Sequence, residues 1–241
     1  MKPSVVVLYH IFFEDTVDHI AEQLACMAFF KPTYLFNICS DTPNQFEIKK
    51  ELLKNFPNSI ITISSNQGKD IGGKMLLLAT CIQMGLQPGW IVFLHDKKSL
   101  QALNTKTWKR ELFKIIDCGQ TAVIDAIISN PSSYGIIASK NYVTKELRTD
   151  GKFTGNNGQL LERLLCDYQI NCKTFDYVAG TMFWARADAM LNFFKKFDPL
   201  KIRQQLEYGN VLDNFSGTYT HSWERLLCWI VLSDGLTIKS I

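Results

Sequence analysis

Apolar residues in the first 140 positions fall into short β-branched runs that alternate with stretches of helical spacing. Val5-Val6-Val7-Leu8-Tyr9 is a strand ending at His10, and Val17, Ile20, Ala21, Leu24 and Met27 then recur as one helix face. Tyr34 to Ile38 is a second strand. Thr42-Pro43-Asn44-Gln45 has the pattern of a helix start, with Thr42 as N-cap and Pro43 at the first helical position. Ile48, Leu52 and Phe56 give that helix its apolar face, and Ile60 to Ile63 make a third strand. Ile71, Met75, Leu78 and Ile82 predict another buried helix face, closed by Gly85. Trp90 to Leu94 has no polar alternation, so it reads as a central strand covered on both faces. Helices follow over 108–116 and 122–128, then a strand over 135–138.

Beyond residue 138 the pattern changes. Residues 139–157 are polar and read as a surface loop. Leu160, Leu161, Leu164 and Leu165 mark a helix, 176–186 an extended aromatic segment interrupted at Ala179-Gly180, and 188–196 a helix. A loop over 208–219 leads to a last apolar helix from Thr220 to Leu232. This order predicts an α/β fold, a mainly parallel central sheet with helices on both faces. No repeat or linker divides the 241 residues. They read as one domain, with 1–140 as the ligand-binding half and 141–241 completing it.

Composition narrows the field. Hydrophobic residues reach 46% and charged residues 20%, which suits a globular chain. A net charge of +3 is too small for a dedicated nucleic-acid binder. No apolar run approaches the roughly 18 residues of a membrane span, and the beginning lacks a secretory cleavage pattern. Seven scattered cysteines without a CxxC pair disfavour zinc and read as reduced thiols of a cytoplasmic protein.

Ligands of open α/β sheets bind beyond the carboxyl ends of the strands. Those ends carry His10, the segment Asn66-Gln67-Gly68-Lys69-Asp70-Ile71-Gly72, and His95-Asp96-Lys97-Lys98-Ser99. All three should converge. The Asn66–Gly72 turn can hold an anion through amides and Lys69, and on shape alone Asp70 is equally a helix N-cap. Asp96 suits a metal ion or a sugar hydroxyl, Lys97 and Lys98 suit phosphates, and a solvated basic loop is the plain alternative. Gly180 and Thr181 lie where the backbone can approach a ligand. Trp184 offers a face for a sugar ring and Arg186 a fork for phosphate or carboxylate, while Met182 and Phe183 read as core. Trp108 is a stacking surface or a core residue. Glu224 is a general-base candidate or a surface ion pair with Arg225. His221 is a metal ligand, a hydroxyl-binding group or a simple first-turn residue.

At these positions the sequence resembles the rhamnan synthesis protein F family of bacterial polysaccharide and lipopolysaccharide biosynthesis. The resemblance rests on Asn66, Gly68, Asp70, Ile71 and Gly72; on Leu94, His95, Lys97 and Ser99 with Trp108; on Ala179 to Trp184 with Arg186; and on Gly217, Thr218, His221, Glu224 and Arg225. It implies a GT-A-like glycosyltransferase that moves a sugar from a nucleotide-diphospho-sugar to a glycan or lipid-linked glycan, with peripheral attachment to the inner face of the cytoplasmic membrane. His10, Asn66, Gly68, Lys69, Gly72, His95, Lys97, Lys98 and Ser99 would then bind donor. Gly180, Thr181, Trp184, Arg186 and His221 would face acceptor or sugar. Glu224, Asp96 and Asp70 are the catalytic candidates, with Asp96 and His221 holding Mn²⁺ or Mg²⁺. Two departures stand out. Ser216 replaces an acid before the Gly-Thr pair, with Asp213 nearby. The usual DxD position reads His95-Asp96-Lys97, so Lys97 or Lys98 would supply positive charge in the metal's place. The rival reading is a non-catalytic glycan- or nucleotide-binding module of a larger synthase.

Overall fold

The computed structural model describes residues 3–96, 105–131, 133–153, 155–213 and 217–241. Lys97, Lys98, Ser99 and Ser216 lie outside them. The chain begins with β1 (Val5–Ile11), α1 (Ile20–Leu24) flanked by 3-10 segments, β2 (Thr33–Cys39), α2 (Gln45–Asn55) and β3 (Ile60–Ser64). Next come α3 (Lys69–Gln83), β4 (Trp90–His95), α4 (Thr105–Phe113), α5 (Thr121–Ser129) and β5 (Tyr134–Ala138). The remainder is β6 (Val143–Lys145), α6 (Gly158–Asp167), β7 (Asp176–Val178), β8 (Phe183–Arg186), α7 (Ala187–Lys196), α8 (Pro199–Gln205), α9 (Tyr219–Leu232) and β9 (Thr237–Ser240).

Seven strands form one sheet in the order β3-β2-β1-β4-β8-β5-β9, and β6 pairs with β7 apart from it. Only β8 runs antiparallel to its neighbours in the large sheet; its other pairings are parallel. The expected α/β architecture therefore stands, with helices on both faces. Leu8, Phe93 and Phe183 pack on one side with residues of α3, α6, α7 and α9. Tyr9, Val92 and Trp184 pack on the other with residues of α1, α2, α4 and α5. Every residue of β1 and β4 is buried, which is why neither strand alternates polar with apolar.

Several local expectations give way to tertiary contacts. Asn44 takes a left-handed conformation, φ 54°, so α2 starts only at Gln45. Thr42 is therefore not its cap and donates its hydroxyl to Phe12 O at 2.9 Å. Residues 143–145 of the expected loop form β6. The helix α8 and the edge strand β9 were not legible in the pattern. Cys26 and Cys118 are joined as a disulfide with Cα atoms 5.1 Å apart, against the expectation of reduced thiols throughout. The two residues are 92 positions apart and meet because the segments around α1 and before α5 cover the same face of the sheet. Among the described residues no helix is long and apolar enough to cross a membrane.

Candidate functional site

A cleft of about 260 Å³ opens at the carboxyl end of β4, walled by Lys69, Asp70, His95, Thr181, His221 and Glu224, with Trp108 beside them. Two larger hollows, about 420 and 370 Å³, sit near the start of β2; Tyr34 lines both, and the one charged wall residue, Lys31, belongs to the larger. Chemistry needs convergent polar groups more than volume, so the smaller cleft is the candidate site.

Its floor is a buried charge cluster. The Lys74 side chain is 0% exposed, and its ammonium donates to Asp70 Oδ2 at 2.7 Å and to Thr181 O at 2.9 Å. It also bonds Thr181 Oγ1 and lies 3.2 Å from His95 Nδ1. Thr181 Oγ1 in turn donates to Asp70 Oδ2 at 2.7 Å. Asp70 keeps 23% of its side-chain surface open and lines the cleft. Burial works to raise its pKa, but Lys74 and His95 charges and the bonds from Lys74 and Thr181 outweigh this and hold it well below the ordinary value. Asp70 is thus a persistent anion in the first turn of α3. It does not cap that helix, because Gly68 occupies the cap position. Lys74 went unnoticed in the sequence because it sits in the apolar run Lys74-Met75-Leu76-Leu77-Leu78. The available signal was its i, i+4 spacing from Asp70.

The opposite wall comes from α9. Thr218 caps this helix through a bond from His221 N at 3.1 Å, and its hydroxyl lies 2.6 Å from His221 Nδ1. Glu207 accepts from Tyr219 N at 2.6 Å and Thr220 N at 2.9 Å, so the first amides of α9 are already satisfied. Asn157 Oδ1 accepts from Thr218 N at 2.8 Å and so anchors the approach to the helix. Burial, then Lys69, lowers the pKa of His221 and keeps the ring neutral. Glu224, with a side chain 19% exposed, accepts from Gly180 N at 2.7 Å and from Arg225 Nη1 at 2.8 Å. Burial acts to lower the Arg225 pKa, and Glu224, Tyr177 and Glu146 more than offset it. Arg225 also bonds Glu146 Oε2 at 3.2 Å. One guanidinium shared by two carboxylates leaves the trio with net negative charge.

The turn between β7 and β8 closes the cleft. Thr181 N donates to Val178 O at 3.1 Å, and Gly180 sits at φ 83°, a position that suits glycine. Thr181 itself has φ 51°, rare for a β-branched residue and worth about 1–3 kcal/mol of strain.

The strand-end segments converge as expected: His95 Nδ1 lies 3.5 Å from Asp70 Oδ2, and Asp96 N donates to His10 O at 3.1 Å. Within that convergence the residues divide. Lys69, Asp70 and His95 line the cleft; His10, Asn66, Gly68 and Gly72 lie behind it. A side chain at Gly68 would collide with Leu206, and one at Gly72 with Gln67 O, so these glycines serve packing and not a ligand. Asn66 is buried, and its carbonyl accepts from Gly209 N at 2.8 Å. His10 packs against Gly73, where any side chain would strike the ring, and Asn37 Nδ2 lies 2.9 Å from His10 Nδ1. Asp96 is buried, and its Oδ2 accepts from Phe12 N at 2.9 Å and Phe13 N at 2.6 Å, closing the turn after β1. That structural task replaces the expected catalytic or metal role.

Two further expectations are corrected. Trp184 is 0% exposed and donates from Nε1 to Ile115 O at 2.9 Å, on the sheet face away from α3 and α9. It is core, not a sugar platform. Arg186 stands opposite Trp90, the first residue of β4, while the cleft lies beyond His95, the last. Because β8 is antiparallel, its final residue points to the far end of the sheet, where Arg186 Nε donates to Asp188 Oδ1 at 3.0 Å.

A resident Mn²⁺ or Mg²⁺ does not fit this donor set. Among the described residues no three His, Cys, Asp or Glu side chains are placed to hold a metal. Asp96 is engaged by two amides, His221 Nδ1 lies against Thr218, and the Lys74 ammonium already puts a positive charge against Asp70 and His95.

Burial, with Lys74 and Arg203 assisting against Asp70, lowers His10 to about 4 from 6.5. The unfolded chain therefore binds this proton at higher pH than the fold does. His10's contribution is full above about pH 6.5 and is lost as pH falls toward about 4, by about 3 kcal/mol. Urea midpoints at pH 7.5 and 4.5 check this: the wild type should lose more stability across the interval than His10→Gln. Equal losses would refute it.

The sequence matches the rhamnan synthesis protein F family over residues 1–236. No curated protein matches it. Among solved structures, a mannosyltransferase from Pyrobaculum calidifontis, in complex with GDP-Man and Mn²⁺, is similar over 100% of this chain and 55% of its own, at 10% identity and TM-score 0.45. A mannosyltransferase from S. cerevisiae in complex with GDP is similar over 92% of this chain and 66% of its own, at 9% identity and TM-score 0.29. The chain thus spans little more than half of the first and just under two thirds of the second. Likeness this distant assigns no residue a role. The family match is different in kind: it runs from the first strand past the last helix and takes in every segment that builds the cleft, and so the chain belongs to the rhamnan synthesis protein F family.

Proposed function

We propose that this chain is a GT-A-like glycosyltransferase of one domain, moving a sugar, rhamnose or another hexose, from a nucleotide-diphospho-sugar to a hydroxyl of a bacterial cell-surface glycan. The observation that carries the reading is one cleft at the carboxyl ends of the strands where two carboxylates from distant elements, Asp70 and Glu224, meet a cation, Lys69. Membership of a rhamnan synthesis family supports glycan building at the coarse level. The acceptor in this reading is a growing or lipid-linked glycan, met at the inner face of the cytoplasmic membrane.

In the reaction the acceptor oxygen bonds the anomeric carbon as the bond from that carbon to the diphosphate breaks. The acceptor proton passes to a Glu224 carboxylate oxygen. Glu224 suits this task because Arg225 divides its charge between Glu224 and Glu146. Lys69, whose ammonium donates to the neutral carbonyl of Val211 at 3.1 Å, faces the leaving diphosphate with its charge uncompensated by that bond. Lys97 and Lys98 are proposed to assist. Asp70, held ionised, offsets positive charge developing on the sugar ring, and His95 and His221 offer hydrogen bonds to its hydroxyls. No step is routed through a metal.

Binding and turnover test this together. A panel of nucleoside diphosphates and their sugar conjugates should include one that raises the thermal midpoint, since a ligand of the native state stabilises by mass action. The same donor should release nucleoside diphosphate slowly without acceptor. Binding with no release under any condition would favour the non-catalytic module, and binding of none would remove the nucleotide-sugar reading.

A further inference from the structure

The turn that closes the cleft touches both carboxylates through adjacent residues. Gly180 N donates to Glu224 Oε1 at 2.7 Å, and Thr181 Oγ1 donates to Asp70 Oδ2 at 2.7 Å. Asp70 and Glu224 come from α3 and α9, 154 positions apart in the chain, yet each is bonded to a neighbouring point of one short backbone segment. The segment is itself fixed from below. Lys74, wholly buried, donates to the carbonyl and the hydroxyl of Thr181.

Backbone conformation sharpens the point. Thr181 lies at φ 51°, where glycine would sit without strain and a β-branched side chain is disfavoured. A residue that only had to make the turn would be glycine or asparagine. What threonine adds here is the hydroxyl, and that hydroxyl is engaged on both sides, donating to Asp70 and accepting from Lys74.

We propose that Thr181 is a positioning residue: clamped by Lys74, its hydroxyl fixes the Asp70 carboxylate at a set place across the cleft from Glu224. The hydroxyl touches neither the acceptor oxygen nor the anomeric carbon in this role. It acts through Asp70, whose titratable neighbours include Lys74 on its own helix, His95 at the end of β4 and His10 behind the cleft. The catalytic meaning rests on the glycosyl-transfer reading, but the hold on Asp70 is independent of any substrate.

Three substitutions separate the hydroxyl from the backbone. Thr181→Val keeps the shape and the strain but removes the hydroxyl. Thr181→Gly removes both. Thr181→Ser keeps the hydroxyl. The first readout is the titration of the Asp70 carboxyl carbon by NMR in the ligand-free protein. Val and Gly should move its midpoint up toward the ordinary value of about 4, while Ser should leave it near the wild type. The second readout is donor turnover. Val and Gly should lower kcat roughly ten- to a hundredfold with KM for donor changed less than about threefold, and Ser should restore most of the rate. The third is the thermal midpoint. A role confined to shaping the turn predicts that Gly, relieved of strain, matches the wild type in titration and kcat; that result would overturn the proposal, as would an unmoved Asp70 titration in Val. Where Val does not fold, the Ser and Gly pair decides. If the wild type turns over no donor, the glycosyl-transfer reading fails while the titration still decides whether Thr181 holds Asp70.

Discussion

Glu224→Gln should lower sugar transfer by about 10²- to 10⁴-fold, the usual contribution of a general base, while donor affinity changes less than about threefold. Glutamine keeps an oxygen for the bond from Gly180 N but cannot take a proton at neutral pH. The surrounding fold should tolerate the change. Arg225 retains Glu146 at 3.2 Å and His221 O at 2.8 Å, so its guanidinium is not left unpaired. Donor affinity by calorimetry and transfer rate, measured on the same preparation, separate the outcomes. Wild-type rates would remove Glu224 from the mechanism and turn attention to Asp70, or to Asp213, which is bonded to Asn157. A joint fall of stability and donor binding would make it a structural residue.

Lys74→Met should destabilise the protein by about 3–5 kcal/mol, the range for breaking a buried ion pair from one side. The side chain is 0% exposed and its volume is nearly kept, so the loss measures charge and hydrogen bonds and not a cavity. At roughly 2–4 °C per kcal/mol for a chain of this size, the thermal midpoint should fall by roughly 6–20 °C. The double variant Lys74→Met with Asp70→Asn removes both charges and should recover much of the loss. The acid limb gives an independent check. The lowered pKa of Asp70 contributes stability that is full above about pH 4 and disappears as pH falls toward the lowered value; without Lys74 that limb should flatten. A single variant as stable as the wild type would show that the ammonium is not what holds Asp70 ionised.

Much of the fold was legible because burial leaves a periodic trace. The runs Val5–Tyr9 and Trp90–Leu94 are apolar at every position, and both proved to be central strands paired with each other. Strand ends were legible for the same reason, since a polar cluster straight after an apolar run has few places to go. That rule brought His10, Asp70 and His95 to one end of the sheet, and Glu224 and His221 joined them from the last helix. Trp184 shows where periodicity stops informing. All but the last residue of the four-residue β8 are buried, so nothing in the sequence says which face Trp184 takes. Arg186 failed for a different reason: whether a strand runs with or against its neighbour decides which end of the sheet its last residue reaches, and that is settled by pairing partners 96 positions away.

The sequence by itself determined the alternation of elements, the buried strands and the motif residues that mark the family, because each of these is written in neighbours a few positions apart. Only the tertiary structure decided the chemistry of the cleft. A lone lysine in an apolar run became the cation that keeps Asp70 charged, because α3 faces Thr181 across the sheet end. Asp96 became the anchor of the turn after β1 and left the list of metal ligands, because two amides reach it first. Cys26 found Cys118 over a separation of 92 residues. In each case the deciding partner is distant in sequence, and for Lys74 and Asp96 the interaction is strong because the fold excludes water from the place where the partners meet.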